Sequence, residues 1–171
     1  MLLNKNKKIN QSKSKRNYKV PLMKNAFINE DETKQALSNF ILVADKLSMG
    51  EQCAKFEKAF AKKQKRKYGI LSSSGSSANL AIIQALKNLG YLKDGDNVGF
   101  SALTWATNVM PILQLGLKPV PIDCDPRTLN NLSYNCIPAL EKEKCKAFFI
   151  TNALGFAGDL ERIREECRKK I

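Results

Sequence analysis

The sequence predicts an α/β domain built on a largely parallel sheet. Two observations predict it. Short apolar runs at Asn97–Phe100, Lys118–Ile122 and Ala147–Thr151 alternate with helical stretches, which is the pattern of βαβ units. Ahead of them, the apolar run Tyr68–Leu71 leads through a turn of small residues, Ser72-Ser73-Ser74-Gly75-Ser76-Ser77, straight into a helix. In such domains ligands gather at the carboxyl ends of the strands, so the segments that follow each strand are where a site is sought.

Each element has its own signals. Glu30–Lys46 carries Ala36, Leu37, Phe40, Ile41 and Ala44 at helical spacing behind acids in its first turn, and reads as a surface helix. After a break at Ser48-Met49-Gly50, Glu51–Lys65 puts Cys53, Phe56, Ala59 and Phe60 on one face and lysines on the other, an amphipathic helix packing against another element. Tyr68–Leu71 is expected to be a strand, and Ala78–Leu89 a helix with Leu80, Ile83 and Leu86-Leu89 along an apolar stripe. Gly90 reads as its C-cap and Lys93-Asp94-Gly95-Asp96 as a turn. A helix follows over Thr104–Gln114. Another is expected within Ser133–Lys142, starting near Ile137 because Pro138 would interrupt a helix begun at Ser133. Asp159 is the expected N-cap of a last helix, Leu160–Lys170. There is no internal repeat.

The totals narrow the function classes. A chain of 171 residues, 43% hydrophobic and 26% charged, has the size and composition of one globular domain. No apolar run approaches the roughly 20 residues that cross a bilayer, and Met1–Tyr18 is basic and polar where a signal peptide is apolar, so a cytoplasmic protein is expected. Five scattered cysteines without CxxC spacing and the absence of histidine argue against a metal site or a disulfide framework. Without histidine, chemistry falls to lysine, carboxylates or a cofactor. The net charge of +13 is concentrated at the start: residues 1–24 hold eight of the 29 basic residues and no acid, leaving 21 against all 16 acids. Residues 1–24 read as a disordered basic tail, 25–66 as N-terminal helices and 67–171 as the α/β part. No RNP-like strand or zinc-finger spacing supports nucleic-acid binding.

The serine turn carries the chemical signal. A helix rising out of it leaves unpaired N–H groups aimed into the bend, with the positive end of the helix dipole behind them. Gly75 admits a ligand close to the backbone, and the hydroxyls of Ser74, Ser76 and Ser77 add donors. A phosphate fits such a turn; an ordinary serine N-cap is the alternative. The chain lacks both GxxxxGK[ST] and GxGxxG, which disfavours nucleoside-triphosphate and dinucleotide loops. Two further segments follow strands. Ser101–Asn108 includes Trp105, the only tryptophan, which either covers a flat ring or is a core or interface aromatic. Asp123-Cys124-Asp125-Pro126 reads as a turn.

Together these residues resemble the DegT/DnrJ/StrS family of sugar aminotransferases over roughly Ser48–Leu160. The resemblance lies in Gly50-Glu51 with Phe56-Glu57 and Phe60-Ala61, in Ser74-Gly75-Ser76-Ser77-Ala78, and in Lys93-Asp94-Gly95-Asp96. It continues through Ala102-Leu103-Thr104-Trp105, Pro119–Asp125 and Leu154-Gly155. It implies the three-layer α/β/α large domain of fold type I, mostly parallel, with pyridoxal 5'-phosphate as cofactor. Gly75, Ser76 and Ser77 would bind the cofactor phosphate and Trp105 would stack on its ring, while Asp123 and Asp125 would be structural. The catalytic groups, a Schiff-base lysine and an aspartate on the pyridine nitrogen, are expected beyond Ile171, so the chain reads as the N-terminal part of a longer, homodimeric enzyme and as inactive alone. The implied reaction is transfer of an amino group from glutamate to a nucleotide-linked keto sugar, in polysaccharide or glycan synthesis. The family's 4-keto-6-deoxy-sugar 3-dehydrase branch, in which a histidine replaces the lysine, is the second reading, and a non-catalytic phosphate- or RNA-binding module the third.

Overall fold

The computed structural model describes residues 25 and 27–170; the predicted basic tail lies outside the described residues. The chain divides into two compact units, Met1–Ala54 and Lys55–Ile171. In the first, α1 (Glu30–Val43) begins with Glu30, Asp31 and Glu32, which favour its N-terminus electrostatically, and Glu30 pairs with Lys34 one turn on at 2.5 Å. The helix stops before the predicted Lys46, with Ala44 already extended. It buries no residue, and Ile41, Leu42 and Val43 are exposed, so no packing prolongs its last turn.

The second unit holds most of α2 (Glu51–Lys63), then α3 (Gly75–Asn88), β1 (Asn97–Ser101), α4 (Ala106–Gln114), β2 (Lys118–Ile122), α5 (Ser133–Lys142), β3 (Ala147–Phe149), a 3-10 turn (Ala153–Gly155) and α6 (Leu160–Lys170). The strands form one parallel sheet in the order β2-β1-β3, with Gly99 facing Val120 on one side and Phe148 on the other. Strand alternation sorts the side chains into two layers. Val98, Phe100, Ala147 and Phe149 pack with Ile83 of α3, Ile112 of α4, Leu92 and Leu117. Val120, Ile122, Phe148 and Ile150 pack with Cys136, Ile137 and Leu140 of α5, Cys145, and Ile163 of α6. The result is helices on both faces of the sheet, the three-layer arrangement expected. Each fully buried Ile112, Ile122 and Leu140 contributes roughly 1.5–3 kcal/mol relative to exposure. Gly99 is what lets α5 approach: a Cβ there would meet Leu140 Cδ2, and would lie 3.3 Å from both Ile122 Cγ1 and Phe148 Cδ2.

Four expectations need correction. Tyr68–Leu71 is not a strand. A strand needs a ladder partner, and β1, β2 and β3 pair among themselves; among the described residues, the segment's one backbone hydrogen bond is Leu71 N–H to Glu57 Oε1 at 2.7 Å, and Ile70 is 87% exposed. The α2 face that packs is Glu57 and Ala61, against Gly69, rather than the Phe56 and Phe60 face; these two rings stack on each other at 5.7 Å and stay half exposed. The α3 helix starts at Gly75, three residues early, because Ser74 caps it by accepting the Ser77 N–H at 3.1 Å. Finally, α5 starts at Ser133 with Pro138 inside it. Asp159 anchors its first turn from outside, accepting Ser133 N–H at 2.8 Å and the Ser133 hydroxyl, and within the turn Asn135 Oδ1 accepts Leu132 N–H at 2.9 Å. The carboxylate expected to cap α6 thus serves α5. Gly90 does close α3, at φ 79°, with Tyr91 N–H bonded to Leu86 O at 2.9 Å.

The sheet edges differ. Lys118 N–H bonds to Asp96 O and Ala102 N–H to Ile122 O, so the even-numbered residues of β2 face β1. Pro119 and Pro121 therefore occupy the positions whose N–H would point outward, and this edge cannot take a further strand on its donor side.

Candidate functional site

The N-termini of α3 and α4 meet at the carboxyl end of β1. At α3, residues Ser73–Ser77 are exposed. Ser77 N–H is taken by Ser74 Oγ, and the Ser77 hydroxyl lies 3.0 Å from those of Ser73 and Ser74, so part of the serine set serves the turn itself. Among the described residues, the N–H groups of Gly75 and Ser76 and the Ser76 hydroxyl have no partner. A Cβ built on Gly75 finds nothing within 4 Å. Neither a left-handed backbone nor a packed neighbour requires glycine here, and the space over the two free N–H groups stays open. That space, with the helix dipole behind it, is the geometry that accepts a phosphate group. An open cleft of about 340 Å³ runs on from Ser76 and Ser77 past Leu80 to Thr107, Met110 and Pro111.

Trp105 stands at the N-cap position of α4, makes no side-chain cap bond, and is 74% exposed. It does not fill the core, and its ring is available to cover a flat ligand or to meet another surface. The structure brings the two predicted parts together through residues that the sequence did not single out. Asn79 Nδ2 of α3 donates to Asn108 Oδ1 of α4 at 2.7 Å, and Asn108 N–H donates to Trp105 O at 3.0 Å. Asn108 Nδ2 in turn donates to Thr104 Oγ1 at 2.8 Å and to Thr151 Oγ1, beyond β3, at 3.1 Å. The Asn79–Asn108 and Asn108–Thr151 pairs are 29 and 43 residues apart and leave no local pattern, though Asn108 closes the predicted segment Ser101–Asn108 and Asn79 follows the serine turn.

Asp123 and Asp125, expected to be structural, each accept nearby backbone N–H groups. Asp125, 5% exposed, accepts Arg127 Nη2 at 3.1 Å, Tyr134 Oη at 2.8 Å, and the N–H groups of Arg127 and Thr128. The Arg127 and Tyr134 hydrogen bonds hold its carboxyl well below the usual carboxylate range. Asp123 Oδ1 accepts the Cys124 N–H at 2.8 Å. Burial pushes the Cys136 thiol up to about 11, and the five cysteines are free. Among the described residues there is no group of His, Cys, Asp or Glu that could hold a metal ion, and no helix long and apolar enough to cross a membrane.

Residues 28–170 match the model of the DegT/DnrJ/EryC1/StrS aminotransferase family. The chain is 35% identical over 135 residues to GDP-4-keto-6-deoxy-D-mannose 3-dehydratase of Yersinia pseudotuberculosis, covering 78% of this chain and 34% of that protein. It is 32% identical over 122 residues to GDP-perosamine synthase of Caulobacter vibrioides, covering 71% of this chain and 32% of that protein. A crystal structure of GDP-4-keto-6-deoxymannose-3-dehydratase with a trapped PLP-glutamate geminal diamine superposes with a TM-score of 0.73 at 32% identity, over 85% of this chain and 37% of that one. The chain thus spans about a third of the length of the relatives it matches. Its sheet and flanking helices are the N-terminal part of the α/β large domain of fold type I, and the chain belongs to the DegT/DnrJ/EryC1/StrS aminotransferase family.

Proposed function

We propose that this chain supplies the phosphate turn and the ring-covering tryptophan of a pyridoxal 5'-phosphate site, in a cytoplasmic, homodimeric enzyme acting on a nucleotide-linked 4-keto-6-deoxy sugar. The observation that carries the reading is the open space over Gly75, walled by the free N–H groups of Gly75 and Ser76. The donor set fits a phosphate: two N–H groups, the Ser76 hydroxyl and the helix dipole, with no acid among residues 68–80 to repel it. Trp105, exposed at the start of the neighbouring helix, would cover one face of the ring and keep water from it. When bound, the cofactor supplies a conjugated ring that takes up the electron pair released at the carbon being changed.

For the reaction we rank loss of the sugar 3-hydroxyl first, ahead of amino transfer, the first reading of the resemblance. The support is the 35% identity over 135 residues to a GDP-4-keto-6-deoxy-D-mannose 3-dehydratase. Amino transfer from glutamate stays as the second reading because of the match to GDP-perosamine synthase. The test uses this chain and any longer product of its gene, mixed with pyridoxal phosphate before and after borohydride. Binding without attachment to a lysine, and a 3-deoxy product from GDP-4-keto-6-deoxymannose and glutamate, is the expected result. Attachment to one lysine and a 4-amino product moves the enzyme to the second reading. No binding by either form overturns both.

A further inference from the structure

Pro111 lies inside α4 and has no N–H, so the Thr107 carbonyl four residues before it loses its helical donor. Asn79 of α3 supplies one: its Nδ2 lies 3.4 Å from Thr107 O while also bonding to Asn108 Oδ1. A carbonyl only accepts, so this contact fixes which end of the Asn79 amide faces α4. The consequence runs onward. The oxygen of Asn108 must face α3, and its Nδ2 must face the strand ends, where it donates to Thr104 Oγ1 and Thr151 Oγ1, themselves 2.6 Å apart. Thr151 N–H then bonds to Ser101 Oγ at the end of β1, at 2.8 Å. One direction of donation thus extends from α3 through α4 to the ends of β1 and β3. Part-buried amides and hydroxyls cost desolvation unless paired, whereas apolar side chains could pack two helices together without that cost. What the network adds is a fixed spacing and angle between the helix N-termini.

We propose that Asn79 and Asn108 are positioning residues that set the serine turn and Trp105 at the separation of one ligand bearing both a phosphate and a flat ring. This inference rests on the reading above. It makes the two halves of the site act as one, so a ligand carrying both groups binds more tightly than the phosphate or the ring compound alone.

Trp105 is the only tryptophan, so its fluorescence reports ring coverage directly. The probe is pyridoxamine 5'-phosphate, which cannot react with lysines and absorbs where tryptophan emits; inorganic phosphate and pyridoxamine are the controls. In the purified chain, pyridoxamine 5'-phosphate is expected to quench Trp105. In Asn79→Leu and Asn108→Ala, its affinity should fall about tenfold and the saturating quench should drop, with inorganic phosphate affinity unchanged. Thr151→Val, which leaves the Asn79–Asn108 bond and the Thr104 acceptor in place and removes the Thr151 hydroxyl, should give a smaller loss in the same direction and covers the case in which the asparagine variants do not fold. If the wild type quenches and the folded variants quench equally, or lose phosphate and ring affinity in parallel, the positioning role is overturned. If the wild type neither binds nor quenches, the cofactor reading itself falls, and the inference with it.

Discussion

Gly75→Ala separates a glycine kept for the fold from one kept for a ligand. A methyl group at this position meets nothing within 4 Å, and the residue is the first of α3, without the left-handed backbone that would need glycine. Alanine lowers the entropy of the unfolded chain and favours the helix, which together stabilise by about 0.5–1 kcal/mol. For a chain of this length that raises Tm by roughly 1–4 °C. The same methyl projects into the space where a phosphate oxygen would meet the Gly75 and Ser76 N–H groups, so pyridoxamine 5'-phosphate affinity should fall tenfold or more while the protein becomes more stable. Thermal melts by circular dichroism and calorimetric titration measure the two effects on one sample. A variant that is more stable and binds as before would refute the idea that the open space holds a phosphate, and a destabilised variant would refute the steric reading of Gly75.

Other perturbations follow from the fold. Asp159→Asn should cost about 1–2 kcal/mol, read by urea unfolding, because the carboxylate caps α5 through Ser133. Burial raises the Asp159 pKa, but the bonds from Ser133 outweigh it and leave it lowered. A lowered folded pKa means that this stabilisation is present in full above the unfolded value of about 4 and is lost as pH falls through the folded value, so wild type and variant should converge in acid. Gly158→Ala should cost about 1–3 kcal/mol, since its Cβ would stand 2.6 Å from the Asn131 carbonyl oxygen, which is backbone and cannot rotate away. Cys136 and Cys145, 0% and 4% exposed with thiols raised by burial, should react with a thiol reagent only on unfolding, whereas Cys53 and Cys124 should react in the native chain.

Much of the architecture was legible because its signals are local. The alternation of apolar runs and helices predicted β1, β2 and β3 within a residue or two, and the Gly90 cap and the helix start at Leu160 follow from their own sequence neighbourhoods. The candidate site was half legible. The serine turn and Trp105 could be singled out because a small-residue turn between a predicted strand and a helix, and a lone tryptophan after a strand, are patterns within a few residues. The amides that join them could not, since Asn79 is just one more polar residue on a helix until Pro111, 32 positions later, strips Thr107 of its donor.

By itself, the sequence determined the alternation of strands and helices, the closure of α3 at Gly90, the start of the last helix at Leu160, and which turn has the donors for an anion, since periodicity, capping and backbone freedom act over one or two turns of chain. The tertiary structure alone decided that Tyr68–Leu71 finds no ladder, that the Asp159 carboxylate caps a helix 26 residues earlier, and that Pro138 is tolerated inside α5. Each of these is a question of which group meets a hydrogen-bond donor or acceptor. That is settled by neighbours in space, after the sheet and its two helical layers have brought distant residues together.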